Sequence, residues 1–358
     1  MAIASPFLQP VWAKGQEKEV EPDIAGIDTS TVASSFSFHG RVDLSLIHFS
    51  NRKNVDKFSR GFFRPLAPAL FLGYEFSDSL SALAEIGYEG DEGGIEVDQI
   101  ALDWRPLKEL LKIRLGNSYF PFGIERLSYA PSTNKLVDRP SPFRRIIPGT
   151  YSDLGLFLSG SFFGDKGMGL KYELVISNGL KGPERSDRQE GGENNSNKNV
   201  GGRLGFVPMP GLELGFSYAV QEYDDHQKYQ LDFWGTDFSF NKRIGSGEID
   251  LKGEYLVSQV EQARERGGNY SRYGWYIQTG YKHFYDKKLL EYLEYVLRYD
   301  SLDDNSNIRD YRDVRRWALG MNWSPIKNLR LKTEYEINDE KSHEIPNNGL
   351  FWQLEYHW

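Results

Sequence analysis

Apolar and polar residues alternate one for one along most of this chain. Phe36, Phe38, Val42 and Leu44 are interleaved with Ser37, His39, Arg41 and Asp43. Leu70, Leu72, Tyr74 and Phe76 repeat the pattern, as do Leu170, Tyr172, Leu174 and Ile176. Later come Tyr273, Trp275, Ile277 and Tyr281, then Trp317, Leu319, Met321 and Trp323. A period of two places such residues on one face of a β-strand. With weaker segments near 200–207, 230–241 and 289–300, the pattern predicts about sixteen strands. The last of them, GLFWQLEYHW, ends the chain on Leu350, Trp352, Leu354, Tyr356 and Trp358, an apolar face that needs a surface to meet.

The connections sort by parity. Between odd and even strands they are mostly long: 49–65, 118–152, 178–199, 222–229, 261–270, 301–311 and 339–347. Between even and odd strands they are short and rich in turn formers, as in SDS at 77–79, PMPG at 208–211 and SPIKN at 324–328. Long loops at one end and tight turns at the other predict an all-β, transmembrane antiparallel barrel. An even strand number then puts both ends of the barrel on the short-turn, periplasmic side. The terminal face of Leu354, Tyr356 and Trp358 meets lipid, at an aromatic girdle, and resembles the closing strand read by the outer-membrane assembly machinery, which usually ends in Phe.

Alternation also assigns the interior. On 290–300 Leu293, Tyr295, Leu297 and Tyr299 point outward and Glu294, Arg298 and Asp300 inward; on 329–337 the inward set is Arg330, Lys332, Glu334 and Glu336. Burying such charges dry costs several kcal/mol each, so the expectation is a water-filled lumen.

Composition narrows the choice. The 358 residues are 14% aromatic, with 21 Tyr and 8 Trp, and amphipathic rings of this kind gather at membrane interfaces. A mean hydropathy of -0.56 excludes a helical membrane protein but not a barrel, whose strands average to polar. The absence of Cys removes disulfides, thiol catalysis and Cys-based metal sites, and a net charge of -8 argues against nucleic-acid binding. Residues 1–13, with Val11 and Ala13 at a cleavage-like step but no basic start, read either as the back half of an export signal or as a plain extension. Lys14 to Ser35 reads as a periplasmic lead-in, which leaves 36–358 as the barrel.

The candidate chemistry lies in the loop 118–152, expected to fold inward and narrow the lumen. It carries Arg126, Lys135, Arg139, Arg144 and Arg145 against Glu125 and Asp138, a net of +3 in an acidic protein. Guanidinium forks match carboxylate and phosphate oxygens, so these five are candidates for an anion-favouring constriction. The alternative is that Arg144 and Arg145 pair with acidic wall residues such as Glu75 or Glu85. Pro121 and Gly123 suit a turn at the start of the loop, with Phe120 and Phe122 as anchors on the inner wall. Glu125 is expected to pair with Arg126 or a wall arginine.

LGNSYFPFGIERL resembles the segment that opens the third loop of the phosphate-selective porin O/P family, with Phe122, Gly123 and Glu125 on its motif. IIPGTYSDLGLFLSG, YELVISNGLKGP, GRLGFVPMPGLELGFSY and GWYIQTGYK follow that family's order. The resemblance implies a 16-stranded outer-membrane barrel, usually a homotrimer, that passes small anionic solutes. It places none of the family's phosphate-binding arginines and lysines on this chain.

Other signals are weaker. Asp303, Asn305 and Asn307 have calcium-loop spacing, but Ile308 stands where Gly is needed. The six His form no HExxH pair, no Ser–His–acid set stands out, and 181–199 balances four positive with four negative charges, as a mobile external loop would. No cofactor, metal or enzymatic activity is expected. The reading is a porin passing small hydrophilic, anionic or neutral, phosphate-like solutes, set among outer-membrane lipid and lipopolysaccharide. The competing reading is a non-conducting barrel that serves as a scaffold or surface-binding protein.

Overall fold

A computed structural model describes residues 36–49, 61–64, 67–89, 94–125, 133–147, 151–164, 166–184, 194–309, 312–341 and 347–358. The expected N-terminal segment, 1–35, lies outside them. The strands are β1 (Phe36–Phe49), β2 (Gly61–Arg64), β3 (Ala69–Ser77), β4 (Leu80–Glu89), β5 (Gly94–Trp104), β6 (Lys112–Tyr119), β7 (Ser152–Phe163), β8 (Gly169–Ser177) and β9 (Asn199–Met209). They continue as β10 (Leu212–Glu222), β11 (Gln230–Ile244), β12 (Gly247–Val260), β13 (Tyr270–Lys287), β14 (Leu290–Asp303), β15 (Val314–Ile326), β16 (Leu329–Glu340) and β17 (Gly349–His357). Each pairs antiparallel with its neighbours, and β17 pairs with β1, which closes the sheet. β2 and β3 both pair with β1, at its two ends. They fill one strand position of the barrel between them, so the barrel has the sixteen strands expected. The expected loop 49–65 was therefore too long, because Gly61–Arg64 already belongs to the wall.

The parity rule holds in three dimensions. β3–β4, β9–β10, β11–β12, β13–β14 and β15–β16 are joined by two-residue turns on the end that also carries Phe36 and Trp358. Outward residues are apolar and exposed: Tyr295, Leu297, Leu319, Met321 and Leu354 all face the bilayer. Aromatic rings stack side by side in this outer belt. Trp275 and Tyr299 lie 5.3 Å apart and Tyr299 and Trp317 4.7 Å. Near the turns, Tyr356 and Trp358 stack at 6.1 Å. Two such girdles are what an interfacial ring preference produces.

The inward charges of β14–β16 behave differently from the expectation of a wet wall. Glu294, Arg298, Asp300, Glu334 and Lys332 are all buried, although each does point inward. Between β6 and β7 the chain turns into the barrel and covers them. Phe120, Phe122, Phe143, Ile146 and Ile147 of this loop join Phe157, Phe233, Leu256 and Tyr276 of the wall in a dry apolar core. Burying each such phenylalanine contributes roughly 1.5–3 kcal/mol. The loop after β8 also turns inward, with Leu180 in the same core, while Asn194 and Asn195 bond the carbonyls of Tyr223 and Glu222. The flanks of the expected mobile loop 181–199 are thus pinned; 185–193 lie outside the described residues.

The β1–β17 ladder ends on one further backbone pair. Gly40 donates to the Trp358 carbonyl at 3.1 Å, and Trp358 to the Gly40 carbonyl at 3.0 Å. The indole lies over Gly40, where a Cβ would run into the ring. Gly40→Leu is expected to lower stability by about 1–3 kcal/mol, the usual cost of overpacking. The urea midpoint, read from heat-modifiable gel migration, checks this; an unchanged midpoint would mean the ring swings aside freely.

Candidate functional site: the inward loop

The loop 120–151 is held to the wall at successive points, and most of the anchors are wall carboxylates. At its start Gly123 adopts φ +64. That left-handed turn favours glycine, and a Cβ there would strike the Glu254 carboxylate. Glu254 on β12 accepts the backbone N–H of Ile124 at 3.1 Å and of Glu125 at 2.6 Å, and the Tyr276 hydroxyl at 2.8 Å. Gly123 itself donates to Ser217 on β10 at 2.9 Å. Phe122 meets Phe233 edge-on at 6.3 Å, as expected for an anchor on the wall. Glu125 pairs with Lys252 at 2.8 Å, a wall lysine rather than the arginine expected.

Further along, Lys135 sits between Asp250 at 2.5 Å and Glu294 at 2.6 Å. Burial alone would lower the pKa of its ammonium; the Glu294 and Asp250 charges more than offset that and hold it above its ordinary value. Leu136 packs on Val296 and Ala318, and Val137 on Ile47 and Phe351, so the loop reaches the β17–β1 seam. Glu334 accepts both the Val137 N–H at 2.5 Å and the Asp138 N–H at 2.9 Å. The Asp138 carboxylate takes Arg144 and, at 2.8 Å, Arg316; its carbonyl takes Arg298 at 2.8 Å. Burial would raise the Asp138 pKa, but Arg144 and Arg316 hold it well below the usual carboxylate range.

The chain then turns back. Ser141 donates its backbone N–H to Asp300 at 3.1 Å. A one-turn helix, α1 (Pro142–Arg145), follows, with Pro142 supplying a residue that needs no N–H partner at a helix start. Phe143 packs on Tyr276 at 6.2 Å. Arg145 approaches Glu184 at 3.9 Å and Asp304 at 4.0 Å.

The five expected cations therefore separate. Arg126 lies outside the described residues. Lys135 is enclosed by two carboxylates. Arg139 is half-exposed, and its carbonyl accepts from Arg316. Arg144 and Arg145 have side chains 47% and 37% exposed, against 18% for Lys135. Their partners are Asp138, Glu184 and Asp304, not Glu75 or Glu85; Glu85 instead bonds Gln99 at 2.8 Å. The wall residues that hold the loop, above all Glu254, Asp250 and Arg316, had one sequence signal: each stands at an inward-facing position of its strand. Asp303, Asn305 and Asn307 form side-chain-to-backbone turns, Asn305 donating to Asp303 and Asn307 to Asn305.

Both Glu254 oxygens face N–H donors, so an amide at this position must turn its NH2 toward one of them. Glu254→Gln is expected to cost about 1–3 kcal/mol, the penalty of an unmatched buried polar group. It should also release the 123–125 turn from the wall. Limited proteolysis of the detergent-solubilised barrel would register cleavage there at least several-fold faster than in the parent, and equal rates would sink the assignment.

Residues 233–355, from β11 through β17, match the family model for phosphate-selective porin O and P. That match holds the late aromatic strand quoted above but not the loop motif at Phe122, Gly123 and Glu125. An uncharacterized protein of Aquifex aeolicus is 25% identical over 329 residues, spanning 80% of this chain and 73% of its own. An anion-selective porin from Comamonas acidovorans superposes with a TM-score of 0.61 at 14% identity, covering 91% of this chain and 100% of that one. The trimer form of OmpT from Vibrio cholerae gives 0.59 at 13% identity, covering 91% and 100%. The chain is a porin-type barrel of the bacterial outer membrane, and its C-terminal strands carry the match to the phosphate-selective porin O and P family.

Proposed function

We propose that the barrel is a passive diffusion channel for small hydrophilic solutes and that it prefers anions. The observation that carries the preference is a burial asymmetry in the inward ion pairs. In Arg105–Asp103 the side chains are 31% and 1% exposed, in Lys282–Glu294 22% and 0%, and in Arg144–Asp138 47% and 11%. Lys171–Glu213 and Lys252–Glu125 lean the same way. Among the described inward pairs, Arg145–Glu184, Arg272–Glu184, Arg203–Glu213, Arg316–Asp138, Arg272–Asp304 and Arg298–Glu336 reverse it. In the pairs that lean toward an open cation the charges cancel, yet the carboxylate lies beneath and the cation meets the water. An acidic chain can line its lumen with positive charge in this way, and solutes respond to the charge they can approach. The preference then rests less on the net charge of the loop than on which half of each pair is covered.

Arg144 and Arg145 are assigned to the narrow part of the passage, where they stabilise anions in transit. Lys135 is assigned a structural part, fastening the loop. A homotrimer is inferred from the OmpT trimer form that shares the fold. The competing reading, a barrel that does not conduct, draws on the dry core formed by the two inward loops.

Planar-bilayer recording separates the two. The channel reading expects steady conductance, with a reversal potential under a KCl gradient that favours chloride. Replacing Arg144 and Arg145 together by Ala should reduce that preference by roughly two- to fivefold, since one charge at close range in water is worth about 1 kcal/mol. Cation preference in the parent would remove the anion assignment. Silent, correctly folded barrels would favour the scaffold.

A further inference from the structure

The long-loop end of the barrel holds a group of charges that joins the two inward loops. Arg272, near the start of β13, is 3% exposed. Its Nη1 donates to the Arg145 carbonyl at 3.1 Å and to the Pro183 carbonyl at 2.6 Å. Its Nη2 donates to the Tyr270 hydroxyl at 2.9 Å, and the guanidinium lies 5.3 Å from the Tyr270 ring. One wall arginine thus fastens the loop 120–151 and the loop after β8 to each other.

Two carboxylates bridge Arg272 and Arg145. Asp304 sets Oδ1 3.4 Å from Arg272 Nε and Oδ2 4.0 Å from Arg145 Nε. Glu184 sets Oε1 2.5 Å from Arg272 Nη2 and Oε2 3.9 Å from Arg145 Nη1. The two acids occupy equivalent places and differ in burial, since Asp304 is 4% exposed and Glu184 48%. Asp304 is therefore a fixed part of the wall. Glu184 can be exchanged for another anion by turning one side chain into water. Its backbone need not move, because Leu180 is held in the core and Pro183 by Arg272.

Arg145 is the open side of this arrangement. Among the described residues no acceptor lies within hydrogen-bond distance of its guanidinium, and its two carboxylate neighbours stand at 3.9 and 4.0 Å. A guanidinium carries five donors in a planar fork that matches a carboxylate. The Arg145 side chain is 37% exposed, so a solute can reach it.

We propose that Arg145 and Arg272 form a carboxylate-binding site at the long-loop mouth of the lumen, and that Glu184 is its tethered competitor. The Glu184 carboxylate stands where the carboxylate of a solute would stand. A solute binds by displacing it and is released when Glu184 returns, so the site holds an anion without trapping it. A competitor tethered this closely acts at an effective concentration of about millimolar or more. That sets the range of solute concentration over which the site fills. With Glu184 turned away, Asp304 cancels only one of the two guanidinium charges, and the other is left for the incoming anion. The inference rests on the assignment of Arg145 to the passage, and binding is therefore measured apart from conduction.

The test titrates trifluoroacetate against the full-length barrel in mild detergent, read by fluorine NMR relaxation, with trifluoroethanol as the uncharged reference. Glu184→Gln removes the competing charge and should tighten trifluoroacetate binding by about fivefold, the effect of one charge at close range in water. Adding Arg145→Gln to that variant should abolish the gain. Trifluoroethanol should respond to neither change. Heat-modifiable migration verifies that each variant is folded. Unchanged trifluoroacetate binding in Glu184→Gln, or a gain that survives Arg145→Gln, would overturn the site even where the parent conducts and prefers chloride. A barrel that shows the gain but is silent in planar bilayers would keep the site and lose only the channel reading.

Discussion

The interior of this barrel is organised by carboxylates that accept backbone N–H groups from an inward loop. Glu254 and Glu334 each receive two such donors, and Asp300 receives one together with the Ser141 hydroxyl. A loop folded away from bulk water must satisfy its N–H groups somewhere, because a buried donor left unpaired costs about 1–3 kcal/mol. The wall meets that requirement with anions rather than with another strand. The loop can therefore run across the strands instead of along them, and it reaches from β10 to the β17–β1 seam.

Anionic acceptors create a second requirement, since a carboxylate in a dry wall needs positive charge nearby. Lys135, Arg298 and Arg316 supply it, from both the loop and the wall. Asp138 ties the two together, because a loop carboxylate there receives one loop arginine and one wall arginine. The apolar contacts of Phe120, Phe122 and Phe143 add roughly 1.5–3 kcal/mol apiece, whereas breaking a buried ion pair costs about 3–5 kcal/mol. Packing and charge are thus of similar weight. Packing draws the loop inward, and the geometry of the charges fixes its course.

The same arrangement sets what a solute meets. At the inner surface Arg105, Lys282 and Arg144 extend past the carboxylates they pair with. Long stems allow a cation to reach water while its partner stays covered. A barrel with an excess of acidic residues can in this way present cations on parts of its inner surface.

The period-two pattern was enough to determine sixteen strands, the parity of loops and turns, and the lipid-facing aromatic belt, because a strand offers only two faces and the bilayer admits only one chemistry on the outside. It also put Glu294, Arg298, Asp300 and Glu334 on the inner face. The segment Gly61–Arg64 was not legible as wall, since four residues are too few to display a period. Nor was the pairing of the loop. Lys135 and Glu294 are 159 positions apart and Val137 and Glu334 are 197 apart, and nothing local to either sequence marks the other. Only closure of the barrel brings those residues together. Tertiary structure alone therefore decided which inward charges are covered by the loop and which are left facing water, because burial is a property of what packs against a residue and not of the residue itself.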